Sequence, residues 1–503
     1  MDDNLGLSEK EIMEFRKKKL QKLKELNLNP YPSKSKRDHT ALSIHEEKDK
    51  LIESQVKVTV AGRLMSVRGH GKLSFIDIMD QTGKIQAALK ADVMNKKFEL
   101  VDLIDAGDFI EVTGPVFITK AGETTVMAED LVVLSKSLMA LPDQWYGIQD
   151  EEMRYRKRYL DFVLNPDLRE LFVKKAKFWE TIRMFMIDKG FLEVETPALE
   201  NTAGGADANP FVTHHDYLDI DVFLRISMGE LWQKRLMVAG FDKTFELGRQ
   251  FRNEGVSREH LQDYTQMEFY WAYANYEDSM ALVEEMYKKV AQDVFGTTKF
   301  KIAGFDVDMG KKWDRIDYTS AVNKEYNIDI LEMSDDEIKK LLESKKIDFR
   351  ESDRKGRLID LLWKQVRRNI AGPAFLINHP VEVSPLAKRK EDDPRLVERY
   401  QVLLAGSEMG NGYSELNDPI DQAERFAEQN KMREEGDIEA QMHDREFVEA
   451  LEYGMPPTTG FGVSERLFAF LVDKPVRECV MFPLLRPLQT QKKINRVRKN
   501  KLK

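Results

Sequence analysis

Residues 248–255 read GRQFRNEG, so two arginines, Arg249 and Arg252, flank a phenylalanine, and Glu254 follows two residues after the second. An arginine fork suits a phosphate or a carboxylate. A glutamate beside it limits repulsion and can hold an amine. If the stretch is a strand, alternation with period two aims Arg252 and Glu254 the same way. The polar loop SREHLQDY comes next, where Arg258 and His260 offer further grip on phosphate, and then TQMEFYWAY, in which Glu268 and Tyr270 share a strand face. A ladder of salt bridges is the plainer use of the same charges. Downstream, GMPPTTGFGVSERLFAFL (454–471) sets Gly460 and Gly462 ahead of Arg466. The glycines permit close backbone approach to a ligand. Arg466, in the first turn of an expected helix, could stack on a base or meet a phosphate. The stretch SEMGNGYSELNDP carries Glu408 and Glu415, expected as strand carboxylates facing a cleft. A carboxylate next to nucleotide phosphates usually serves through Mg2+. No Walker-type GxxxxGK[ST] loop is present.

These groups need a scaffold. From about 150 to 490 the chain alternates long helical patterns with strands, an α+β arrangement. LRELFVKKAKFWETIRMFMIDKG (168–190) reads as a helix ending at Gly190, followed by the strand FLEVETP, which Pro197 stops. Residues 278–295 predict another amphipathic helix, and 332–371 a charged helical surface insertion. Upstream, 56–137 holds short alternating strands with turn signals, the pattern of a small β-barrel. By strand parity Phe75 and Gln86 lie on the outer faces of neighbouring strands. An outward aromatic beside an outward amide is how small OB-type barrels stack on and read unpaired bases. A scattered surface phenylalanine explains the position equally well. LPDQWYG lies in an expected hinge at 138–149. Residues 1–55 form a basic extension whose helix starts with a capping box, Ser8 and Glu11. Its run 16–24 (RKKKLQKLK) is either a solvated face or a nucleic-acid contact. A basic tail occupies 491–503.

The bulk numbers limit the function classes. A chain of 503 residues with net charge −9 is not, as a whole, a basic nucleic-acid binder. Its 33% charged and 42% hydrophobic residues are those of an ordinary globular protein. The single cysteine, Cys479, excludes an intramolecular disulfide and argues for a reducing compartment. No apolar run approaches the roughly 20 residues that span a bilayer, and no signal-peptide pattern opens the chain, so a cytoplasmic address without membrane attachment is expected.

Taken together, the stretches resemble the class II aminoacyl-tRNA synthetases, and within them the lysyl-tRNA synthetases, over about residues 10–490. GFLEVETP is similar to the dimer-forming first motif, FRNEG with HLQDYTQMEFYWAY to the second, and GFGVSERL to the third. NTAGGADANPF with THH, GELWQKRL, PVEVSPLAKR and GNGYSELND resemble the lysine-specific stretches. The resemblance implies an N-terminal OB-fold barrel that binds the anticodon through Phe75 and Gln86. It implies a catalytic domain at 150–490 built on an antiparallel sheet flanked by helices. Arg252 and Arg466 would be the catalytic arginines. Arg252 would hold the α-phosphate of ATP and the lysine carboxylate, and Arg466 would stack over the adenine. Glu254, His260 and Tyr264 would complete the ATP site. Gly205 and Glu230 would receive the lysine α-amino group. Glu415, with Tyr270, would receive the ε-ammonium, and Asn411 and Tyr413 would line the same pocket. Glu408 would be a Mg2+ ligand. The implied partners are L-lysine, ATP, tRNA(Lys) and a second copy of the chain as homodimer. The chain departs from the family where a second metal-ligand glutamate is usual, seven residues before Glu408: Gln401 stands there. The third motif is also one residue shorter than usual, and RISMGELW one longer. A paralogue that modifies a protein lysine, a catalytically silent binding module and an aspartyl- or asparaginyl-type enzyme remain as alternatives. The barrel, the retained charged set and the carboxylate pocket argue against them in turn.

Overall fold

The computed structural model describes residues 8–142, 147–206, 208–434 and 444–488. Two compact units divide the chain, Met1–Asn165 and Pro166–Lys503. That division falls beyond the hinge expected at 138–149, so the short helices over 151–164 group with the first unit. Residues 143–146 of that hinge and the basic tail 491–503 lie outside the described residues.

The first unit opens with helix α1 (Glu9–Glu25), whose N-terminus carries the capping box read from Ser8 and Glu11. Its basic run is not all surface. Arg16 is buried, with Nη1 donating to the Met139 carbonyl at 2.8 Å and Nη2 to the Ala106 carbonyl at 3.0 Å. Lys19 donates to Asp105 at 2.8 Å. These two cations fasten the helix to its own unit, whereas Lys18, Lys22 and Lys24 stay exposed.

Six strands follow: β1 (Lys57–His70), β2 (Leu73–Met79), β3 (Lys84–Lys90), β4 (Phe109–Ile118), β5 (Thr124–Ala128) and β6 (Asp130–Ser135). They pair in the order β1-β2-β3-β5-β4, and β4 pairs back onto β1, closing five strands into a barrel, with β6 added along β4. Closure pairs β1 to β5 on both sides and, among the described residues, leaves only the outer edge of β6 without a partner strand. The sequence alternation is the inside–outside pattern. Ile76, Ile78, Ile85 and Ala87 are buried in the barrel core. Phe75 faces Ala88 and Asp77 faces Gln86 across the β2–β3 ladder, which makes Phe75 and Gln86 diagonal neighbours on one half-buried face. Asp77 on that face is tied down by Ser66 at 2.7 Å and Arg68 at 3.0 Å, and Gln86 accepts from the Thr125 hydroxyl at 2.9 Å.

In the second unit helix α2 (Pro166–Asp188) stops just before Gly190, which takes φ +82°. Only β7 (Leu192–Glu193) of the expected FLEVETP strand is paired. A small sheet joins β8 (Leu199–Glu200), β9 (Val212–His215) and β10 (Ile220–Leu224). The elements that carry the chemistry come after it. They are α3 (Glu230–Val238), β11 (Lys243–Phe251), β12 (Asp263–Ala272) and α4 (Tyr276–Phe295). The chain continues through the pair β13 (Lys299–Ile302) and β14 (Phe305–Asp308), β15 (Asp314–Asp317), α5 (Asp335–Ser344) and α6 (Lys355–Val366). It ends with β16 (Ala374–Pro380), β17 (Leu396–Leu404), β18 (Ser407–Ser414), β19 (Thr458–Ser464) and α7 (Arg466–Leu471). The large sheet runs β15-β16-β17-β18-β19-β12-β11-β7, antiparallel through its middle and parallel only at the two outer pairs.

Helix α4 buries Met280, Val283, Met286, Tyr287 and Val290, one stripe at helical spacing. The Tyr287 hydroxyl reaches the Met409 carbonyl at 2.6 Å and so fixes β18 from behind. The charged stretch 332–371 does form helices, but it is not the surface appendage expected. Ile338 and Leu342 of α5, and Leu358, Ile359, Leu362 and Trp363 of α6, share a core with Leu376 of β16 and Leu403 of β17. Apolar positions three and four apart create that face beneath a charged composition.

Candidate active site

A cleft of about 360 Å³ lies over β12, β18 and β19; Glu230, Glu268 and Glu415 cluster in one part of it, and Arg252 and Arg466 line another, with Glu408 beside Arg466. At the carboxylate end, Glu268 and Tyr270 of β12 face Gly462 and Gly460 of β19. A Cβ at Gly460 would sit 2.3 Å from Glu415 Oε1 and 2.6 Å from the Tyr270 ring. The glycine therefore makes room for the protein's own carboxylate, where the sequence suggested room for a ligand. Glu415 follows the end of β18, its N–H donates to the Thr458 carbonyl at 2.8 Å, and it is 1% exposed. Glu230 begins α3, where a carboxylate suits the helix N-terminus. Gly229 before it takes φ +67° and stands against Thr196. Helix α3 is fixed to β11 by the Thr244 hydroxyl, which donates to Gln233 at 2.9 Å.

A residue that the sequence reading passed over completes this end. Lys234, one turn after Glu230, donates to Glu230 Oε1 at 2.9 Å and stands 2.5 Å from Glu415 Oε2. The Tyr413 hydroxyl also donates to Glu230. Glu268 accepts from the Met228 N–H at 3.0 Å, from Gln266 at 2.5 Å and from the Tyr270 hydroxyl at 3.2 Å. Burial pushes the Glu415 carboxyl up to about 8, against the pull of Lys234 and with help from Glu230. Burial and then Glu230 push Glu268 up to about 7. Burial works against the Lys234 ammonium, but Glu230 and Glu415 hold it above its ordinary value. Gly205 closes this end at φ +85°, with Ser227 Oγ 2.6 Å and Glu230 Cβ 2.9 Å from where a side chain would begin.

The arginine end corrects the parity argument. Strand β11 stops at Phe251, so Arg252 and Glu254 sit in the loop and do not share a strand face. Arg252 lines the cleft with its guanidinium 5.8 Å from the Tyr264 ring. Among the described residues the guanidinium's hydrogen bonding is a single contact, Nε to the Ile226 carbonyl at 3.3 Å. Arg249, by contrast, pairs with Asp263, and Arg258 with Asp473 at 3.2 Å. The salt-bridge reading holds for those two arginines. Glu254 accepts from the Asn209 N–H at 3.4 Å, and His260 Nδ1 meets the Ser257 hydroxyl at 2.8 Å. Neither residue is part of the cleft wall. Arg466 starts α7, donates to the Glu408 carbonyl and lies 3.8 Å from Glu259.

Glu408 tests the fit to a metal. Its Oε1 accepts from Trp363 Nε1 at 2.8 Å and its Oε2 from Gln401 Nε2 at 3.0 Å, while His379 meets Gln401 Oε1 at 3.0 Å. No group of three or more His, Cys, Asp or Glu able to hold a metal occurs among the described residues. Mg2+ is commonly held by one or two carboxylates plus substrate phosphates. The arrangement fits one carboxylate ligand for a nucleotide-borne ion, not a cage built by the protein. Asn411, between the two ends, accepts from Arg399 Nε at 2.8 Å.

Lys234, Glu268 and Arg399 are among the lining or bracing residues to which the sequence assigns no role. Lys234 stands four residues after Glu230 on a helix, the spacing of an ion pair, and Glu268 shares the face of Tyr270. Both signals were present in the sequence. Arg399 reaches Asn411 across the β17–β18 ladder, which no local pattern announces.

Fold and cleft together define a class. Residues 150–486 match the family model described as tRNA synthetases class II (D, K and N), and residues 58–134 match that of the OB-fold nucleic acid binding domain. Curated relatives narrow it. A lysine–tRNA ligase of Thermotoga maritima is 45% identical over 488 residues, covering 95% of this chain and 96% of that protein. One of Thermosipho africanus is 42% identical, over 95% and 97%. One of Halalkalibacterium halodurans is 42% identical, over 97% and 98%. The chain belongs to the lysine–tRNA ligases of this class.

Proposed function

We infer that the protein activates L-lysine with ATP, giving lysyl-adenylate and pyrophosphate, and then transfers lysine to the 3′ end of tRNA(Lys). The observation that carries the reading is the division of the cleft, with the buried carboxylates Glu230, Glu268 and Glu415 in one part and the sparsely bonded Arg252 in another. A lysine laid along it offers ammonium groups to Glu230 and Glu415 and its carboxylate to Arg252. A lysine carboxylate oxygen attacks the α-phosphorus of ATP in line, the bond to the β-phosphate oxygen breaks, and pyrophosphate leaves. Such phosphoryl transfer needs positioning and charge neutralisation more than a general base. Arg252 would bridge the two anions being joined. Arg466, braced by the Glu408 carbonyl, would cover the adenine with Tyr264 close by, and Glu254 and His260 would close over the nucleotide from the loop. Gly205 and Tyr270 would complete the amine contacts, with Asn411 and Tyr413 along the side. Mg2+ would be held on the protein's side by Glu408 and would supply charge neutralisation at the departing phosphates. The tRNA 3′-hydroxyl then attacks the adenylate carbonyl and releases AMP.

The barrel would read the anticodon, with Phe75 as stacking platform and Gln86 beside it. We further propose a homodimer. Helix α2 leaves Val173, Met184 and Ile187 exposed, and Leu192 of β7 is also uncovered, an apolar surface that a second copy would bury. Among the described residues no helix is long and apolar enough to cross a membrane, and with a single, buried cysteine the cytoplasm is the proposed address. ATP–pyrophosphate exchange with each of the twenty amino acids tests the reading. Lysine alone should support it; exchange driven equally by another amino acid would overturn it.

A further inference from the structure

Glu230, Glu268 and Glu415 are each no more than 6% exposed, and Lys234 among them is fully buried. They come from separate places: Glu230 and Lys234 from α3, Glu268 from β12, and Glu415 from beyond β18. The Lys234 headgroup bridges two of the three carboxylates. It also lies 5.5 Å from the Tyr413 ring and 5.8 Å from that of Phe447, aromatic faces that favour a cation. Glu415 Oε2 meets it as an ion pair at 2.5 Å. Arg399, another cation that lines the cleft, is committed to Asn411 and the Val383 carbonyl.

With all groups ionised, three carboxylates and one ammonium leave this end with a net charge of −2, two positive charges short of neutrality. A substrate that keeps its own carboxylate at the arginine end and brings two ammonium groups here supplies that difference. We propose that Lys234 is a specificity-determining positioning residue: by cancelling one of three buried carboxylates, it leaves a charge deficit that a substrate with two ammonium groups fills and a substrate with one does not. The inference rests on lysine as substrate. Removing one partner of a buried ion pair strands the other charge in a medium that solvates it poorly. Without Lys234 the pocket would have to bind an extra proton or cation, and Glu415 would lose its orientation.

Lysine-dependent exchange in three enzymes separates this from simple packing. Lys234→Met keeps most of the side-chain volume and removes the charge. It should raise the KM for lysine by about tenfold or more, within the range of coupled neighbours, and leave the KM for ATP unmoved. Lys234→Met combined with Glu268→Gln restores the original pocket charge. It should recover most of the lysine KM, so the double variant should be milder than the single one. A packing role predicts the reverse, losses that multiply. If Lys234→Met alone does not fold, by circular dichroism, the double variant should still fold and bind lysine. An unchanged lysine KM in Lys234→Met, or a double variant that is worse or also unfolded, overturns the proposal. Failure of the unaltered enzyme to use lysine would overturn the functional reading instead.

Discussion

The two ends of the cleft handle charge in opposite ways. At the carboxylate end the charged groups are buried and already engaged with one another, Lys234 with Glu230 and Glu415, and Glu268 with three donors. At the arginine end Arg252 spends one N–H on a carbonyl, and Glu254 and His260 lie in an exposed loop. A buried carboxylate left unpaired is costly, so an enclosed counter-charge discriminates between substrates. A guanidinium with free donors costs little in water and becomes valuable when phosphate charge develops beside it. The contrast assigns selection to one end and catalysis to the other, and each assignment can be broken separately.

The largest effect should come from Arg252→Ala. Loss of one preorganised donor at a reacting centre costs about 10²–10³-fold, and exchange should fall at least that far while the circular dichroism spectrum is unchanged. Near-normal exchange would remove Arg252 from the catalytic end. A smaller, pH-dependent effect should belong to the carboxylate end. Glu415 is pushed up to about 8 and Glu268 to about 7. Lysine ammonium groups favour the ionised carboxylates, so binding expels protons and affinity rises with pH through that window. Without lysine the sign for stability is the reverse: carboxyls raised from 4.5 hold more protons folded than unfolded, so folded stability falls as pH rises towards about 8. Thermal protection by lysine should therefore be greater at about pH 8.5 than at about pH 6.5. Equal protection at both would mean the carboxylates are ionised already.

Much of this contrast was legible in the sequence. Arg252, Glu408, Glu415 and Arg466 sit in short stretches whose residue types suit their chemistry, and all four line the cleft. The barrel's alternation placed Phe75 and Gln86 on one face, and the β2–β3 register agrees. The failures were tertiary. Period-two alternation puts Arg252 in a strand, and the strand ends one residue before it. The insertion's charge masked an apolar face, and through it Trp363 reaches Glu408 from 45 positions away in the chain. Lys234 was passed over because a lysine four residues after a glutamate is ordinarily a surface pair. The packing of β12, Tyr413, Glu415 and Phe447 around α3 makes it a buried one.

The first unit supplies a control on both ends. Stacking is worth roughly 1–3 kcal/mol per base, so Phe75→Ala should lower tRNA charging by about tenfold and leave lysine-dependent exchange untouched. A matching loss in exchange would mean that the barrel affects activation itself. The smallest change should be at Gln401. Gln401→Glu replaces the amide that donates to Glu408 by a second carboxylate, and Mn2+ titrated in the presence of ATP should bind more tightly by paramagnetic resonance. Unaltered binding would place the metal away from Glu408.

The central claim is that buried carboxylates select the substrate's side-chain ammonium. Exchange with lysine and with norleucine, which lacks that ammonium, measured in the unaltered enzyme and in Glu415→Gln, tests it most directly. The unaltered enzyme should prefer lysine strongly. Loss of a buried counter-charge costs roughly 2–5 kcal/mol, so Glu415→Gln should reduce that preference by about thirtyfold or more, through the lysine KM and not that of ATP. A preference unchanged in Glu415→Gln would contradict the account.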